Sequence, residues 1–530
     1  MAHSPASASP KTGRHHNRSS ARIWASCRGS RCPARWQPGL APVLCPRPCL
    51  CSPAGNRGQD VLGSIADGLT RGVEGAFASL SGAFFEPVIR LGVTGLSRSG
   101  KTVFITGLVA NLMDRGRMPQ LAAAAEGRIS AVWMQPQPHD TVARFDVEAH
   151  LAALGGDAPR WPASTRSVAE LRLSFRVQPV GLIASLGGPR TVHLDIVDYP
   201  GEWLMDLALM EKSYADWSDD TLSRIARRPE AAAYMAQARA EDGSLTLDEG
   251  RAQSLAAAFT AYLQAARGAG FSDCTPGRFL MPGDLAGSPA LTFAPLPMPA
   301  ASPRGSLWRE MDRRYDAYRR GVVRPFFRDH FSRIDRQVVL VDALSAIHAG
   351  PQAVEDLRRT MAEVLLAFKP GRSAFLTSIF TGQRVEKVLF AATKADHLHH
   401  TQHPRLTAII DAMLRDARDR ADFAGAQTAG MAIASIRATV EEEVIRNGRT
   451  VPAVRGRLQS TGKMATMFAG ELPADPARLM APAREGAERW LDADYQVMSF
   501  APARMTLAPG DGPPHIRLDR AAEFLIGDRL

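Results

Sequence analysis

The sequence predicts an α/β protein in which a mostly parallel sheet is flanked by helices. Two observations support this prediction. Short apolar segments typical of buried strands recur along the chain, and one of them runs directly into a glycine-containing loop and an apolar helix face. Because 530 residues exceed what one compact core usually holds, we also expect a large insertion in the main domain and a tail before it.

The first sixty residues have a composition unlike the rest of the chain. They are rich in Ser, Pro, Ala and Arg, and they hold nine of the 64 Lys and Arg residues but one of the 54 Asp and Glu residues. The remaining 55 basic and 53 acidic residues nearly cancel, so the net charge of +10 does not indicate a nucleic-acid partner. We expect 1–60 to be disordered because it shows neither helix nor strand periodicity. A zinc site at Cys45, Cys49 and Cys51 would lack a fourth ligand at the usual spacing.

The segment after the predicted strand 88–94 matches the phosphate-binding pattern G-x-x-x-x-G-K-[ST]. Residues 95–102 read Gly-Leu-Ser-Arg-Ser-Gly-Lys-Thr, and apolar residues then recur at helical spacing. The backbone amides of such a loop, with the N-terminus of the next helix, surround phosphate oxygens. We expect Lys101 to contact the β- and γ-phosphates and the Thr102 hydroxyl to bind Mg²⁺. The predicted nucleotide contacts here are Gly95, Ser97, Arg98, Ser99, Gly100, Lys101, Thr102 and Val103.

A second motif follows a pair of predicted strands. Residues 171–177 alternate apolar and polar side chains, residues 192–196 do so after a glycine turn, and we expect the two strands to pair antiparallel. The second strand leads into Asp-Tyr-Pro-Gly at 198–201, a D-x-x-G motif. We expect Asp198 to hold Mg²⁺ and the Gly201 amide to contact the γ-phosphate, a contact that is lost when that phosphate leaves.

Four more residues have predicted roles near the phosphates. Glu202 stands where many nucleotide switches have glutamine, and we expect it to position the attacking water. Thr165 is our candidate for the threonine of the first switch, with Thr141 as the second choice. Asp342 ends the apolar strand 338–341 and is a rival magnesium ligand, which would indicate an ATPase.

A guanine-reading pattern follows the apolar strand 388–392. Residues 393–396 read Thr-Lys-Ala-Asp and match [NT]-K-x-D. A carboxylate at Asp396 can accept from guanine N1 and N2, donors that adenine lacks, and charged hydrogen bonds of this kind are worth roughly 1.5–3 kcal/mol each. The predicted base contacts are Thr393, Lys394 and Asp396, with Ser435 and Ile436 as a second contact to guanine O6.

Four histidines follow this motif, at positions 397, 399, 400 and 403. Their spacing scatters them around a helix, and no carboxylate or cysteine completes a ligand set in the sequence. We therefore interpret them as solvated loop residues.

The chain between the D-x-x-G motif and the strand at 338–341 is far longer than a switch requires. Segments 222–235, 252–265 and 307–331 have helical character, whereas 271–303 is rich in Pro, Gly and Ser and indicates a loop. We therefore divide the chain into a tail (1–60), the first part of a core (61–201, starting with an apolar helix face from Val61), a mainly helical insertion (202–335) and the second part of the core (336–530, with the C-terminal strands and helix).

Together these motifs resemble the YcjX-like family of bacterial P-loop NTPases. The residues that carry the resemblance are 92–102, Asp-Tyr-Pro-Gly-Glu-Trp at 198–203, 393–396, and Phe-Leu-Ile-Gly-Asp at 524–528. The likeness covers 61–530 and leaves the tail outside. It implies a Ras-like GTPase core with a helical insertion and an association with bacterial stress responses, and it leaves room for a membrane-protein partner. It also implies that Glu202 is the family's own pattern.

We therefore expect a Mg²⁺-dependent protein that hydrolyses GTP slowly to GDP and phosphate and acts as a nucleotide switch, with Lys101, Glu202 and Thr165 in catalytic roles. Hydrolysis should be slow because the sequence reveals no arginine finger, which is an arginine that stabilises the transition state and raises the hydrolysis rate by roughly 10³–10⁵-fold. There are two alternatives: a nucleotide-gated binding module that hydrolyses little GTP, and an ATPase in which Asp342 binds the magnesium ion. No run of about 18 apolar residues occurs, so we expect no transmembrane segment. We expect a cytoplasmic location, and any contact with the inner membrane should be peripheral.

Overall fold

The computed structural model describes residues 86–95, 99–162, 167–180, 188–329, 333–367, 385–422, 426–446, 448–491, 495–505 and 507–530. The tail predicted at 1–60 and the helix face predicted from Val61 lie outside these residues. Across the described ranges, no helix combines the length and apolar character that a membrane crossing needs.

Two sheets are formed by the strands of the described chain. The strands are β1 Val88–Gly95, β2 Ile129–Gln135, β3 Ala143–Arg144, β4 Ala169–Val177, β5 Arg190–Asp198, β6 Arg336–Val341, β7 Lys387–Ala392, β8 Gln427–Ala432, β9 Thr439–Arg446, β10 Arg449–Arg457 and β11 Met464–Met467. The central sheet has the order β2-β4-β5-β1-β6-β7-β8, with β3 paired to β4. The second sheet, β11-β10-β9, is antiparallel.

The central sheet is mostly parallel. β1 pairs in parallel with β5 on one side and with β6 on the other, and β6, β7 and β8 continue in the same direction. β4 runs antiparallel to β5, which confirms the pair predicted from 171–177 and 192–196. The strands predicted at 88–94, 338–341 and 388–392 are therefore neighbours, and their carboxyl ends meet at one edge of the sheet.

Helices cover both faces of this sheet because its central strands are apolar on both sides. In β6, Val338 and Leu340 pack in one core, whereas Val339 and Val341 pack in the other. The helices are α1 Lys101–Asp114, α2 Ala122–Ala125, α3 Val147–Gly155, α4 Gly201–Met205, α5 Tyr214–Ile225, α6 Ala232–Ala240, α7 Glu249–Ala269, α8 Gly277–Leu280, α9 Leu307–Tyr318, α10 Arg324–Asp329, α11 Ala343–Ala349, α12 Pro351–Ala367, α13 His403–Asp422, α14 Ala477–Glu485 and α15 Leu518–Ile526.

The segment between β5 and β6 is mainly helical and has an aromatic centre. The Trp217 ring lies 6.1 Å from Phe259 of α7, 5.6 Å from Phe293 and 5.0 Å from Tyr315 of α9, measured between centroids. Such pairs hold helices from distant parts of the segment together.

The sheet order and the helical segment between β5 and β6 confirm the predicted fold, an α/β P-loop NTPase with a Ras-like, mostly parallel sheet and a large helical insertion. The boundaries 202 and 335 of the insertion stay a prediction.

Two helix predictions in this segment were wrong in detail. The helix predicted at 222–235 is interrupted: α5 ends at Ile225, and Arg228 is extended, with ψ 125°. The cause is Pro229, because the residue before a proline avoids helical backbone angles. The helix predicted at 307–331 is divided into α9, a π-helical turn Arg319–Val323 and α10. The predicted loop 271–303 contains the short helix α8.

Candidate functional site

A cavity of about 540 Å³ opens at the edge of the central sheet where β1, β6 and β7 end. Residues from all three sequence motifs line it, including Gly95 at the end of β1, Glu202 in α4 and Thr393 after β7. The parallel strand order explains this meeting, because motifs that follow neighbouring parallel strands emerge on the same side. Segments more than a hundred residues apart in the chain therefore share one site.

The phosphate loop lies between β1 and α1, as predicted. Gly100 has φ +78°, a left-handed backbone conformation that favours glycine, and α1 begins at the next residue, Lys101. A Cβ on Gly95 would lie 2.1 Å from the Ser99 hydroxyl oxygen, so a larger residue at this position would force the Ser99 side chain to move. Five of the predicted contacts of this loop line the cavity with Gly95: Ser99, Gly100, Lys101, Thr102 and Val103. Ser97 and Arg98 lie outside the described residues.

The D-x-x-G segment packs directly against this loop. Asp198 ends β5 in register with Val93 of β1, and its buried carboxylate forms an ion pair with the Lys101 ammonium. Gly201 begins α4, and a Cβ on it would lie 2.1 Å from the Gly95 carbonyl oxygen. The two motifs thus touch through backbone atoms, and this approach is possible only because Gly201 has no side chain.

Glu202 occupies the cavity wall beside this contact. Its carboxylate is largely buried and forms an ion pair with the Arg267 guanidinium at 3.2 Å. Arg267 lies in the last turn of α7 and lines the same cavity. Arg267 could not be predicted from the sequence, because it belongs to no motif. Its helix was predicted at 252–265, but nothing local indicates which way that helix points.

The segment 393–396, which is predicted to contact the base and is called the base-reading segment below, lies at the ends of β7 and β8. The Thr393 amide donates to the Val341 carbonyl at 2.9 Å, and Lys394 adopts a left-handed conformation with φ +59°. The Asp396 carboxylate is 5 % exposed and accepts a hydrogen bond from the Ala438 amide at 2.8 Å. This bond fixes the carboxylate orientation at the cavity wall.

The second predicted base contact lies opposite α1. Ser435 and Ile436 both line the cavity. A Cβ on Gly107 of α1 would lie 2.7 Å from the Ser435 carbonyl oxygen, so the helix that follows the phosphate loop packs closely on this segment. The loop after β8 is thereby held near the same cavity as the phosphate loop.

Asp342 also lines the cavity, and its carboxylate already has several partners. One oxygen accepts from the Ser345 amide at 3.1 Å, which caps α11. The other accepts from the Ser345 hydroxyl at 2.7 Å and forms an ion pair with the Lys394 ammonium. These contacts favour a role in orienting Lys394.

Aromatic residues that the sequence analysis did not single out close one wall of the cavity. The Trp161 indole N–H donates to the Phe500 carbonyl at 2.7 Å, and the His397 and Phe500 rings meet edge to face at 5.1 Å. All three residues line the cavity.

Neither candidate threonine of the first switch is among the described residues of the cavity wall. Thr165 lies outside the described residues, and Thr141 is exposed and is not among the residues that line the cavity.

The interpretation of the four histidines as solvated was wrong for two of them. His397 is 8 % exposed and His403 is 2 % exposed, and burial lowers the pKa of both imidazoles. His403 Nε2 lies 2.8 Å from the Ala395 carbonyl and so supports the base-reading turn. A carboxylate does reach the other pair, since Glu441 of β9 lies 2.6 Å from His400. The sequence could not indicate this contact, because β9 lies some forty residues away.

The side chains near the phosphate loop suit a magnesium ion. Mg²⁺ prefers hard oxygen ligands and is usually bound by one or two protein groups together with phosphate oxygens. The Thr102 hydroxyl and the Asp198 carboxylate are oxygen donors beside the same loop, and both residues are buried. The ion pair with Lys101 keeps the Asp198 carboxylate next to the loop.

Comparisons with known proteins agree with this architecture. The model of the YcjX-like family, DUF463, matches residues 89–530. A protein named "Ras-like GTPase YcjX" from Escherichia coli (strain K12) is 38% identical over 457 residues, which cover 83% of this chain and 96% of the relative. A protein of the same name from Shewanella oneidensis is 34% identical over 468 residues, covering 83% of this chain and 94% of the relative.

Proposed function

Because the chain belongs to the YcjX-like family, we propose that it is a Mg²⁺-dependent GTP-binding protein that hydrolyses GTP to GDP and phosphate and acts as a nucleotide switch. One observation supports this most strongly: a single cavity is lined both by the phosphate loop, through Gly95 and Lys101, and by the carboxylate-bearing Asp396. Its volume of about 540 Å³ lies in the range of ordinary ligand pockets. The related proteins carry the name Ras-like GTPase, which points to the same activity.

Guanine recognition rests on Asp396. Its carboxylate is buried and oriented by the Ala438 amide, so it presents acceptor oxygens to the cavity with little freedom to turn away. Guanine N1–H and the N2 amino group donate in this direction, whereas adenine presents an acceptor at N1. Lys394, which pairs with Asp342, and Ser435 and Ile436 all line the cavity. We propose that the Lys394 stem lies along the base and that a backbone amide of the Ser435–Ile436 segment donates to guanine O6.

At the phosphate end, Lys101 contacts the β- and γ-phosphates, and Thr102 and Asp198 hold Mg²⁺, which neutralises phosphate charge when bound. The Gly201 amide contacts the γ-phosphate. Glu202 positions the attacking water, and Thr165 completes the first switch. When a triphosphate enters, Lys101 would exchange its contact with Asp198 for phosphate oxygens, and the Asp198 carboxylate would then be available to hold the ion together with Thr102. This exchange couples nucleotide binding to the segment that follows Asp198.

The decisive experiment is a nucleotide titration of the wild-type protein and the Asp396→Asn variant. Asparagine keeps the shape of the side chain but replaces one acceptor by a donor, so guanine loses one or two charged hydrogen bonds worth roughly 1.5–3 kcal/mol each. We expect GDP affinity to fall by about 10- to 10⁴-fold. Xanthine carries an oxygen at C2, so the variant should gain affinity for xanthosine diphosphate. Equal GDP affinity in both proteins, or tighter binding of ATP than of GTP by the wild type, would overturn the guanine assignment.

Hydrolysis is tested separately by phosphate release over many turnovers with GTP. We expect slow release that is abolished in Lys101→Ala and Asp198→Ala. Equal rates in the wild type and both variants would show that a contaminant produces the phosphate. A wild type that binds GTP but releases none would favour the alternative of a nucleotide-gated binding module.

The ATPase alternative assigns the magnesium role to Asp342. The contacts of Asp342 with Ser345 and Lys394 do not favour it, because they already occupy both carboxylate oxygens. Asp342→Asn should therefore weaken guanine binding through Lys394 and leave the magnesium dependence of triphosphate binding unchanged. Loss of that magnesium dependence would support the ATPase alternative.

The proposal includes a cytoplasmic location and a role in bacterial stress responses, which the likeness to the YcjX-like family implies. A membrane-protein partner would bring the chain to the inner face of the inner membrane. Cell fractionation before and after heat shock tests both points. An unchanged amount of protein after the shock would count against the stress role.

A further inference from the structure

We propose that Arg267 is an arginine finger built into the chain, which contacts the γ-phosphate of GTP during hydrolysis. This inference rests on the proposed function and assigns to the helical insertion a direct part in the reaction. The sequence alone did not reveal such an arginine, because Arg267 belongs to no recognisable motif.

Arg267 is presented by a well-supported helix. α7 spans Glu249–Ala269 and ends at Gly270, whose left-handed backbone has φ +101°. In the turn that precedes Arg267, Leu263 is 2 % exposed and Ala266 is fully buried in the core of the insertion. The guanidinium therefore projects from a fixed backbone, which is the arrangement that places a catalytic group with little entropy loss.

The position of Arg267 relative to the phosphate loop follows from a chain of close contacts. Gly201 touches the Gly95 carbonyl, Glu202 is the next residue in α4, and its carboxylate lies 3.2 Å from the Arg267 guanidinium. Arg267 and Lys101 line the same cavity. The guanidinium thus lies at the end of the cavity where the phosphate loop meets the D-x-x-G segment, and this is the end that the γ-phosphate of a bound triphosphate would reach.

The charge arrangement suits a group that changes partners. The Arg267 side chain is 31 % exposed, whereas the Glu202 side chain is 9 % exposed. A guanidinium has five N–H donors in a planar fork and can bind a phosphate oxygen while it still contacts a carboxylate. In the structure Arg267 neutralises Glu202, which removes the repulsion that a carboxylate beside a triphosphate would otherwise cause. With GTP bound, Arg267 donates to the γ-phosphate while it still contacts one oxygen of the Glu202 carboxylate, and the second oxygen of that carboxylate orients the water.

Other arginines near the site are engaged elsewhere. The Arg278 guanidinium stacks on the Trp203 ring, 3.2 Å from its centroid, and is not among the residues that line the cavity. Among the residues that the structure describes, Arg267 is the arginine in the cavity wall.

In the proposed step, the water oxygen forms a bond to the γ-phosphorus as the bond from that phosphorus to the β–γ bridging oxygen breaks. The electron pair of the broken bond stays on GDP, and the protons of the water are shared between inorganic phosphate and solvent. Negative charge grows on the bridging oxygen and is spread over the γ-phosphoryl oxygens in the transition state. Donation from Arg267 stabilises that charge, and arginines in this role raise the rate by roughly 10³–10⁵-fold.

The test compares three variants of the full-length protein: Arg267→Ala, Arg267→Lys and the control Arg251→Ala. Arg251 lies in the first turn of the same helix, is exposed and is absent from the cavity lining. Single-turnover hydrolysis of bound GTP should fall about 10³-fold in Arg267→Ala, because the transition-state contact is lost. Lysine lacks the planar fork and should recover only part of the rate. Affinities for GDP and for a non-hydrolysable GTP analogue should change less than about tenfold in all variants, and Arg251→Ala should match the wild type.

A binding readout tests the same contact without turnover. Aluminium fluoride with GDP mimics the transferring phosphoryl group, so it should slow the release of a fluorescent GDP from the wild type and from Arg251→Ala, but not from Arg267→Ala. A wild-type response in Arg267→Ala, or wild-type hydrolysis, would overturn the inference and leave the proposed function intact. If the wild type binds GTP, does not hydrolyse it and ignores aluminium fluoride, the hydrolytic part of the proposed function and this inference both fail.

A further comparison separates catalysis from simple positioning of Glu202. If Arg267 acted only by holding Glu202, its removal would have no effect once Glu202→Gln had replaced the carboxylate. We expect the double variant to hydrolyse GTP at least about tenfold more slowly than Glu202→Gln alone. Equal rates would show that Arg267 is a positioning residue and would refute direct contact with the γ-phosphate.

Discussion

Asp206 should make the stability of this protein depend on pH between about pH 4 and pH 7. The residue follows α4, is 2 % exposed, and accepts hydrogen bonds from the Gly277 amide at 2.7 Å and from the Tyr318 hydroxyl at 2.5 Å. Burial disfavours the charged form more than these donors favour it, so the pKa of Asp206 is raised from 3.8 to about 7.

The raised pKa determines the sign of the effect. Below about pH 4, Asp206 is protonated in the folded and the unfolded chain. At higher pH the unfolded chain loses this proton while the folded protein retains it, so the free energy of unfolding falls by about 1.4 kcal/mol per pH unit. Above about pH 7 the folded protein is also ionised and the loss is complete. Between pH 5 and pH 8 the contribution of Asp206 falls by about 2.5 kcal/mol.

The variant Asp206→Asn removes this titration and keeps an oxygen that accepts from one of the two donors. The assay is urea unfolding of the full-length protein at pH 5, 6, 7 and 8 without nucleotide, followed by circular dichroism. Because other groups titrate equally in both proteins, the informative quantity is the free energy of unfolding of the variant minus that of the wild type. We expect this difference to rise by about 2.5 kcal/mol from pH 5 to pH 8, in favour of the variant.

A control variant checks that the effect belongs to the buried site. Asp219→Asn removes an exposed carboxyl from neighbouring α5, so its difference from the wild type should stay constant over the same pH range. A constant difference for Asp206→Asn as well would refute the reasoning, because it would mean that Asp206 is ionised in the folded protein throughout.

Three further substitutions test the packing of the site. Tyr199→Phe should lower the free energy of unfolding by about 1–3 kcal/mol in urea titrations, because the buried Tyr199 hydroxyl donates to Gln337 Oε1 at 2.6 Å and that oxygen would lose its donor. Gly201→Ala should lower the affinity for GTP more than the affinity for GDP, because a Cβ at this position overlaps the Gly95 carbonyl and displaces the proposed γ-phosphate contact. Calorimetric titrations measure both affinities, and equal losses for the two nucleotides would contradict this prediction. Lys101→Met should lower the free energy of unfolding of the nucleotide-free protein by about 3–5 kcal/mol, because it removes the cation that pairs with the buried Asp198 carboxylate. A melting temperature equal to wild type would refute this prediction.

The sequence was informative where a function depends on consecutive residues. The loop 95–102 follows from two glycines at fixed spacing, and the structure gives Gly100 the left-handed backbone that such a loop needs. The D-x-x-G and T-K-x-D segments were recognised for the same reason, and the parallel order of β1, β6 and β7 explains why they share a cavity. Local motifs carry their own geometry, so one sequence is enough to find them.

Contacts between distant segments could not be predicted in this way. Arg267 meets Glu202 across 65 residues because α7 folds back toward the sheet, and the direction of a helix is set by its core. The Asp396 carboxylate is held by the Ala438 amide in a loop beyond the next strand. His397 looked like a polar loop residue, but the ring of Phe500 covers it. Each case depends on packing that no single segment encodes.

The close fit between α4 and the insertion limits how the protein can respond to its nucleotide. Trp203, Leu204 and Met205 are each at most 5 % exposed, and the Trp203 indole donates to the Met281 carbonyl at 3.2 Å. Gly277 passes so near that a Cβ on it would lie 2.3 Å from the Glu202 carbonyl oxygen. Bringing any one of these side chains into water would cost about 1.5–3 kcal/mol, so α4 does not detach by itself. If the proposed switch moves α4, the insertion must therefore move with it as one body, and a partner that binds the insertion could distinguish the two nucleotide states.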